Sequence, residues 1–147
     1  MVGRDWGIVA GRYALSRDAR FRRLFSEANR RPPPVVPQIT TVRSITLSKR
    51  PTKTTVGLTR YSRVRYFLVL SRPRQTITFY SSLLGALSDP AATAVIAHEL
   101  AHAWLNEHIR PEESRKRERE ADRLARDWGF GPELRALDQE AVTVHSD

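Results

Sequence analysis

One segment limits what this chain can fold into more than any other. Residues 91–97 are small or apolar nearly all round, which is typical of a helix buried on every side. Asp89 followed by Pro90 supplies an N-cap and a favourable first helical residue. We therefore predict a buried helix that begins at this pair and runs to about Glu107, and the rest of the fold must pack around it.

Polar side chains interrupt this apolar helix as an H-E-x-x-H sequence made by His98, Glu99 and His102. Residues four apart lie about 40° apart around a helix, so both imidazoles can hold one ion. The chain has no cysteine, so histidine, carboxylate and water must supply the ligands. Burying the three groups without a partner would cost on the order of several kcal/mol. The pattern predicts Zn²⁺ bound by His98 and His102, with Glu99 as the general base for a metal-activated water.

A catalytic zinc usually takes three protein ligands, and His108 is one option for the third. Its spacing from His102 matches the pattern H-E-x-x-H-x-x-G-x-x-H, but Leu105 stands where the glycine would let the chain turn. An uninterrupted helix would point His108 about 240° away from His102. We therefore reject this option.

The better option lies on a second predicted helix, which runs over about residues 111–128. Small Ala121 and Ala125 lie on its apolar side and would permit close approach of the first helix. Glu118 lies about 20° beyond Ala125 around the helix, and Asp122 is one turn further on. Glu118 is therefore the predicted third metal ligand. Asp122 could accept a hydrogen bond from a ligand histidine and fix its tautomer.

These motifs resemble those of the HtpX-like gluzincin metallopeptidases. The stretch Ser114-Arg-Lys-Arg-Glu118-Arg-Glu-Ala-Asp122 is similar to their S-R-x-R-E-x-x-A-D motif, whose first glutamate binds zinc. The resemblance covers roughly residues 74–130 and implies the same roles for Glu118 and Asp122. HtpX-like enzymes are typically membrane proteins, whereas no apolar run here approaches the roughly 18 residues of a membrane span. The chain is more similar to the soluble minigluzincins, which keep a minimal catalytic domain.

The predicted fold class is α+β and zincin-like, with a small antiparallel sheet followed by an active-site helix and a ligand-bearing second helix. We expect one metallopeptidase domain over residues 1–147. Its predicted parts are an N-terminal helix and Pro-rich connector (1–37), a β region (38–81), the catalytic helices (82–139) and a tail (140–147). The predicted strands are 38–48, 53–61, 64–71 and 74–80. The last strand could hold an extended peptide by β-addition.

Charge is unevenly distributed along the chain. Residues 1–75 hold 17 Lys or Arg against 3 Asp or Glu, whereas residues 76–147 hold 8 against 13. Such asymmetry can mark a nucleic-acid surface. Because the basic residues are scattered and no nucleic-acid motif accompanies them, we do not favour a nucleic-acid partner. The N-terminus lacks the apolar core of a signal peptide, so a cytoplasmic location is expected.

The predicted function is that of a zinc-dependent endopeptidase acting on a peptide or protein substrate. Glu99 would take a proton from the activated water and deliver it to the leaving amine. Two alternatives stay open. One is a catalytically silent or latent metal-binding regulatory protein, in which His145 could cap the zinc. The other is a DNA-associated protease that uses the basic N-terminal half.

Overall fold

The structure, a computed structural model, describes residues 18–33, 39, 42–48, 57–62, 74–108 and 114–144. Helices dominate this part of the chain. The elements are α1 (Ala19–Arg30), β1 (Val42–Ser48), β2 (Gly57–Ser62), β3 (Arg74–Tyr80), α2 (Ser81–Gly85), α3 (Asp89–His108), α4 (Ser114–Ala125) and α5 (Gly131–Val144). A π turn, Arg126–Phe130, joins α4 to α5.

Helix α1 begins where its sequence provides a cap. The Asp18 carboxylate accepts a hydrogen bond from the backbone N–H of Phe21, which satisfies one of the free donors at the helix start. One face of α1 is buried against α3, and its Phe21 ring contacts Phe79 of β3. Arg20 then joins α1 to the chain before α3, because its guanidinium donates to the Asp89 carboxylate and to the Leu84 and Leu87 carbonyls. This contact fixes the start of α3.

The sheet is mixed, so the prediction of an antiparallel sheet is corrected. Its strand order is β1-β3-β2, with β3 antiparallel to β2 but parallel to β1. The antiparallel expectation assumed that consecutive strands are neighbours, whereas the third strand lies between the first two. As a result β3 is hydrogen-bonded on both edges and cannot accept a peptide by β-addition. The predicted bounds of β3, residues 74–80, are confirmed.

Helix α3 is the centre of the described fold, as its apolar sequence predicts. It packs against α1, α4, α5 and the sheet, and almost all its residues from Ala91 to Leu105 are buried. The helix begins at Asp89 and ends at His108, within one residue of the predicted end. Its start is held from a second side, because the Glu140 carboxylate accepts from the Ser88 backbone N–H and hydroxyl.

That Ser88 contact also explains a difference from prediction at the other end of the chain. The tail was predicted to begin at Glu140, but α5 continues to Val144. The side chain of Glu140 is tied to the start of α3, so this turn of α5 packs onto the fold.

Three sequence-based expectations concern residues outside the described part of the chain. They are the strand predicted at 64–71, most of the Pro-rich connector and the capping role of His145. Within the described ranges, no helix is both long and apolar enough to cross a membrane. The division of the chain into one domain with four parts stays a prediction.

Candidate metal centre

Three side chains from two helices converge at one point. His98 Nε2 lies 3.0 Å from His102 Nε2 and 3.0 Å from Glu118 Oε2, and His102 Nε2 lies 3.0 Å from Glu118 Oε1. One ligand atom from each residue falls within 4.8 Å of the other two, so the group could hold a metal ion. The structure thus brings together all three predicted ligand residues.

The approach of α4 to α3 makes this convergence possible. His98 and His102 lie one turn apart on α3, and their rings meet edge to face with centroids 4.6 Å apart. Ala121 and Ala125 are fully buried, so no large side chain separates the two helices. Glu118, on the same helix as these alanines, reaches both imidazoles while its side chain stays 62% exposed. The cluster therefore opens to solvent on the Glu118 side, whereas the histidines are largely covered.

Asp122 holds the far side of His98. Its Oδ1 lies 2.7 Å from His98 Nδ1, so the ring donates that N–H to the carboxylate and keeps Nε2 directed at the cluster. Burial by itself would lower the pKa of His98. The hydrogen bonds to Asp122 and Glu118, together with the negative charge of Glu99, outweigh burial and raise this pKa to about 10. Without a metal, His98 is therefore a cation at neutral pH, and its Nε2 proton faces His102 and Glu118.

The pKa values of the other two residues of the cluster, His102 and Glu118, are lowered. Burial, and then the positive charge of His98, lower the pKa of His102, so this imidazole is neutral. The hydrogen bond from His98 lowers the pKa of Glu118 despite partial burial, so this carboxylate is ionised. Arg117 also helps to lower the pKa of His102. Sequence reasoning overlooked Arg117, and its place next to Glu118 was the available signal.

The donor set and spacing fit zinc. Two imidazole nitrogens and one carboxylate oxygen are the ligand types of catalytic zinc sites. Ligand atoms about 2.0–2.1 Å from a tetrahedral zinc lie roughly 3.3 Å apart, close to the 3.0 Å separations here.

Glu99 lies beside the cluster, on α3, and is only 6% exposed. It is close enough for its charge to raise the pKa of His98.

His108 is absent from the cluster, as the helical geometry predicted. Helix α3 is uninterrupted to its end, and the His108 ring lies against Trp104 at a tilt of 39°, with ring centroids 4.7 Å apart. Its Nε2 lies 3.9 Å from Oε1 of Glu107. His108 therefore contacts a side chain of its own helix and lies outside the cluster.

Comparison with known proteins gives one match. A family model described as the SprT-like family matches residues 18–118, a span that runs from the cap of α1 to the last member of the metal cluster. No curated protein and no solved structure matches the chain. The HtpX-like resemblance is not shown by this match, and Asp122 lies beyond its end. Because the match covers more than half of the sequence, the chain belongs to the SprT-like family.

Proposed function

We propose that this protein is a zinc-dependent peptidase of the gluzincin type. The observation that carries the proposal is the convergence of His98, His102 and Glu118, with Asp122 hydrogen-bonded behind His98. Membership of the SprT-like family supports a metal-dependent protease. The order of ligands and supporting carboxylate also agrees with the HtpX-like motif that the sequence resembles.

His98, His102 and Glu118 would hold the ion, and the cluster is open to solvent on the side of Glu118. When bound, zinc supplies a Lewis acid that polarises a carbonyl and lowers the pKa of water. Asp122 keeps the His98 ring in the tautomer that presents Nε2. Glu99 takes the proton of the attacking water and returns it to the leaving amine.

An edge strand close to α3 offers a place for an extended peptide. Among the described residues β2 pairs only with β3, and α3 packs against β2. The outer backbone groups of β2 could therefore hydrogen-bond a substrate as an added strand. We propose β2, in place of β3, as the substrate strand.

The decisive experiment measures zinc per chain by elemental analysis and peptide hydrolysis on the same preparations. Glu118→Gln should lose zinc, whereas Glu120→Gln, the matched change on the same helix, should keep it. Glu99→Gln should keep zinc and lose turnover by at least a factor of 100, within the usual contribution of a general base. Wild-type protein that takes up no zinc would refute the metal site.

The same variants separate the alternative of a regulatory metal protein. Zinc bound by wild type at one per chain, with no hydrolysis of any peptide in a mixed library, would favour that alternative. Hydrolysis that persists in Glu99→Gln would refute the assignment of Glu99 as the base.

A further inference from the structure

A row of four basic side chains follows α4 beside the metal cluster. It consists of Lys116, Arg119, Arg123 and Arg126, all exposed, the last being the first residue of the π turn. Their spacings of three, four and three residues keep them within about 80° of the helix circumference. We call this set the basic row.

The basic row borders the cluster. Around the helix, Glu118, Asp122 and Arg126 follow one another in steps of about 40°, and the rest of the row continues in the same direction. On the other side of Glu118 around the helix lie Ala121 and Ala125, which are buried. A chain that leaves the cluster over the exposed surface of α4 therefore reaches the basic row.

The arginines of the row are available to a partner. Arg119, Arg123 and Arg126 form no ion pair with any residue that the structure describes, although α4 carries acids three and four residues away from them. By contrast, Arg20 and Arg31 are bonded to acids of other helices. Basic groups without such partners can steer and hold an external anion.

We propose that the basic row binds acidic side chains of the substrate, so that peptides with Asp or Glu on one side of the cut bond are preferred. This inference rests on the proposed peptidase function. Same-side side chains of an extended peptide lie about 6.8 Å apart, comparable with the roughly 4.5–6 Å steps along the row. Glu120 and Asp127 border the row, so a continuous phosphate backbone would meet both acids. Separate carboxylates of a peptide can avoid them.

Binding is measured on the full chain carrying Glu99→Gln, so that peptides are not cut. The probes are fluorescein-labelled (Glu-Gly)₅, (Gln-Gly)₅ and a ten-nucleotide oligo-dT, followed by fluorescence anisotropy at low and high salt. The acidic peptide should bind more tightly than the neutral one, and added salt should weaken it.

Two triple variants with the same net charge test the location. The row variant carries Arg119→Gln, Arg123→Gln and Arg126→Gln. The control variant removes three exposed cations from other helices, by Arg22→Gln, Arg30→Gln and Arg135→Gln. The row variant should weaken binding of the acidic peptide on the order of tenfold, as the sum of three exposed ion pairs, and the control variant by less than twofold.

Three results would overturn the proposal. Equal weakening in both variants would reduce the effect to net charge. Equal binding of the two peptides would remove the acidic preference. Tighter binding of oligo-dT than of the acidic peptide, lost in the row variant, would assign the row to nucleic acid.

Cleavage by chains with intact Glu99 separates this proposal from the proposed function. Two versions of one peptide, acidic and neutral beside the cut bond, are compared in wild type and in the row variant. The inference is supported if the preference for the acidic peptide disappears in the row variant because the KM for that peptide rises. If binding of the acidic peptide depends on the row but no peptide is cleaved, the peptidase function is refuted and the acidic binding surface stands. If peptides are cleaved equally well by wild type and the row variant, the peptidase function stands and the role of the row is refuted.

Discussion

Zinc uptake by this protein should release one proton, and that proton should come from His98. Zinc binds only deprotonated ligands. In the metal-free cluster the lowered pKa of His102 leaves it neutral and the lowered pKa of Glu118 leaves it ionised, whereas the pKa of His98 is raised to about 10. At neutral pH the ion therefore has to displace a single proton.

The size of the effect follows from the His98 pKa. Between pH 7 and 8.5 the apparent affinity for zinc should rise about tenfold per pH unit, because one proton is released. At pH 7, about three units below the pKa of His98, competition by the proton weakens binding roughly a thousandfold, or about 4 kcal/mol. Competition with a chromophoric chelator at several pH values gives the slope. Calorimetry in buffers of different ionisation enthalpy gives the proton count.

Asp122→Asn tests the cause. The hydrogen bond to Asp122 is the largest of the contributions that raise the pKa of His98, so this variant should bring the pKa back toward the ordinary value and flatten the slope above pH 7. Glu120→Gln removes the same charge from the same helix and should keep the wild-type slope. A wild-type affinity that is constant between pH 7 and 8.5 would show that His98 is already neutral, and would refute this account of the cluster.

Three further outcomes are expected. Ala121→Leu places a large side chain at the buried contact between α3 and α4, and denaturation should show a loss of about 1–3 kcal/mol together with weaker zinc binding. Gly129→Ala, at φ 96° with nothing within 4 Å of the new Cβ, should cost about 1–2 kcal/mol through backbone strain alone; an unchanged denaturation midpoint would contradict this. The hydrogen bond from Arg23 is the largest cause that lowers the pKa of Asp89, and hydrogen bonds from Ser88 lower the pKa of Glu140. Ionisation of these two carboxylates adds to the free energy of unfolding at pH values above their ordinary pKa. This contribution is lost as the pH falls through their lowered pKa values. Urea unfolding should therefore depend less steeply on pH between about 5 and 2 in Asp89→Asn and Glu140→Gln than in wild type.

Local sequence patterns predict most of the helices and the residues that form the cluster. An apolar stretch that begins at Asp89-Pro90 can bury itself only as a helix, and the bounds of α3 follow it closely. Positions four apart on that helix place His98 and His102 together whatever surrounds them. The same 100° rule selected Glu118 and Asp122 and excluded His108, because these choices depend on angles within one helix.

The strand order could not be predicted in the same way. Alternation and turn residues mark where strands begin and end, and β3 was delimited correctly from them. Which strands become neighbours depends on contacts between segments distant in the chain, and no local pattern records that β3 lies between β1 and β2. The continuation of α5 past Glu140 is of the same kind, because it is accompanied by a bond to Ser88, 52 residues away.

The sequence by itself determined that two histidines and a glutamate share a buried helix, and that a carboxylate on the next helix faces it. Only the tertiary structure decided that the ligand atoms come within 4.8 Å of one another and that the Asp122 carboxylate lies 2.7 Å from Nδ1 of His98. The physical reason is that helix periodicity is fixed by local backbone geometry, whereas the distance between two helices depends on how their side chains pack. Here the fully buried Ala121 and Ala125 permit that approach.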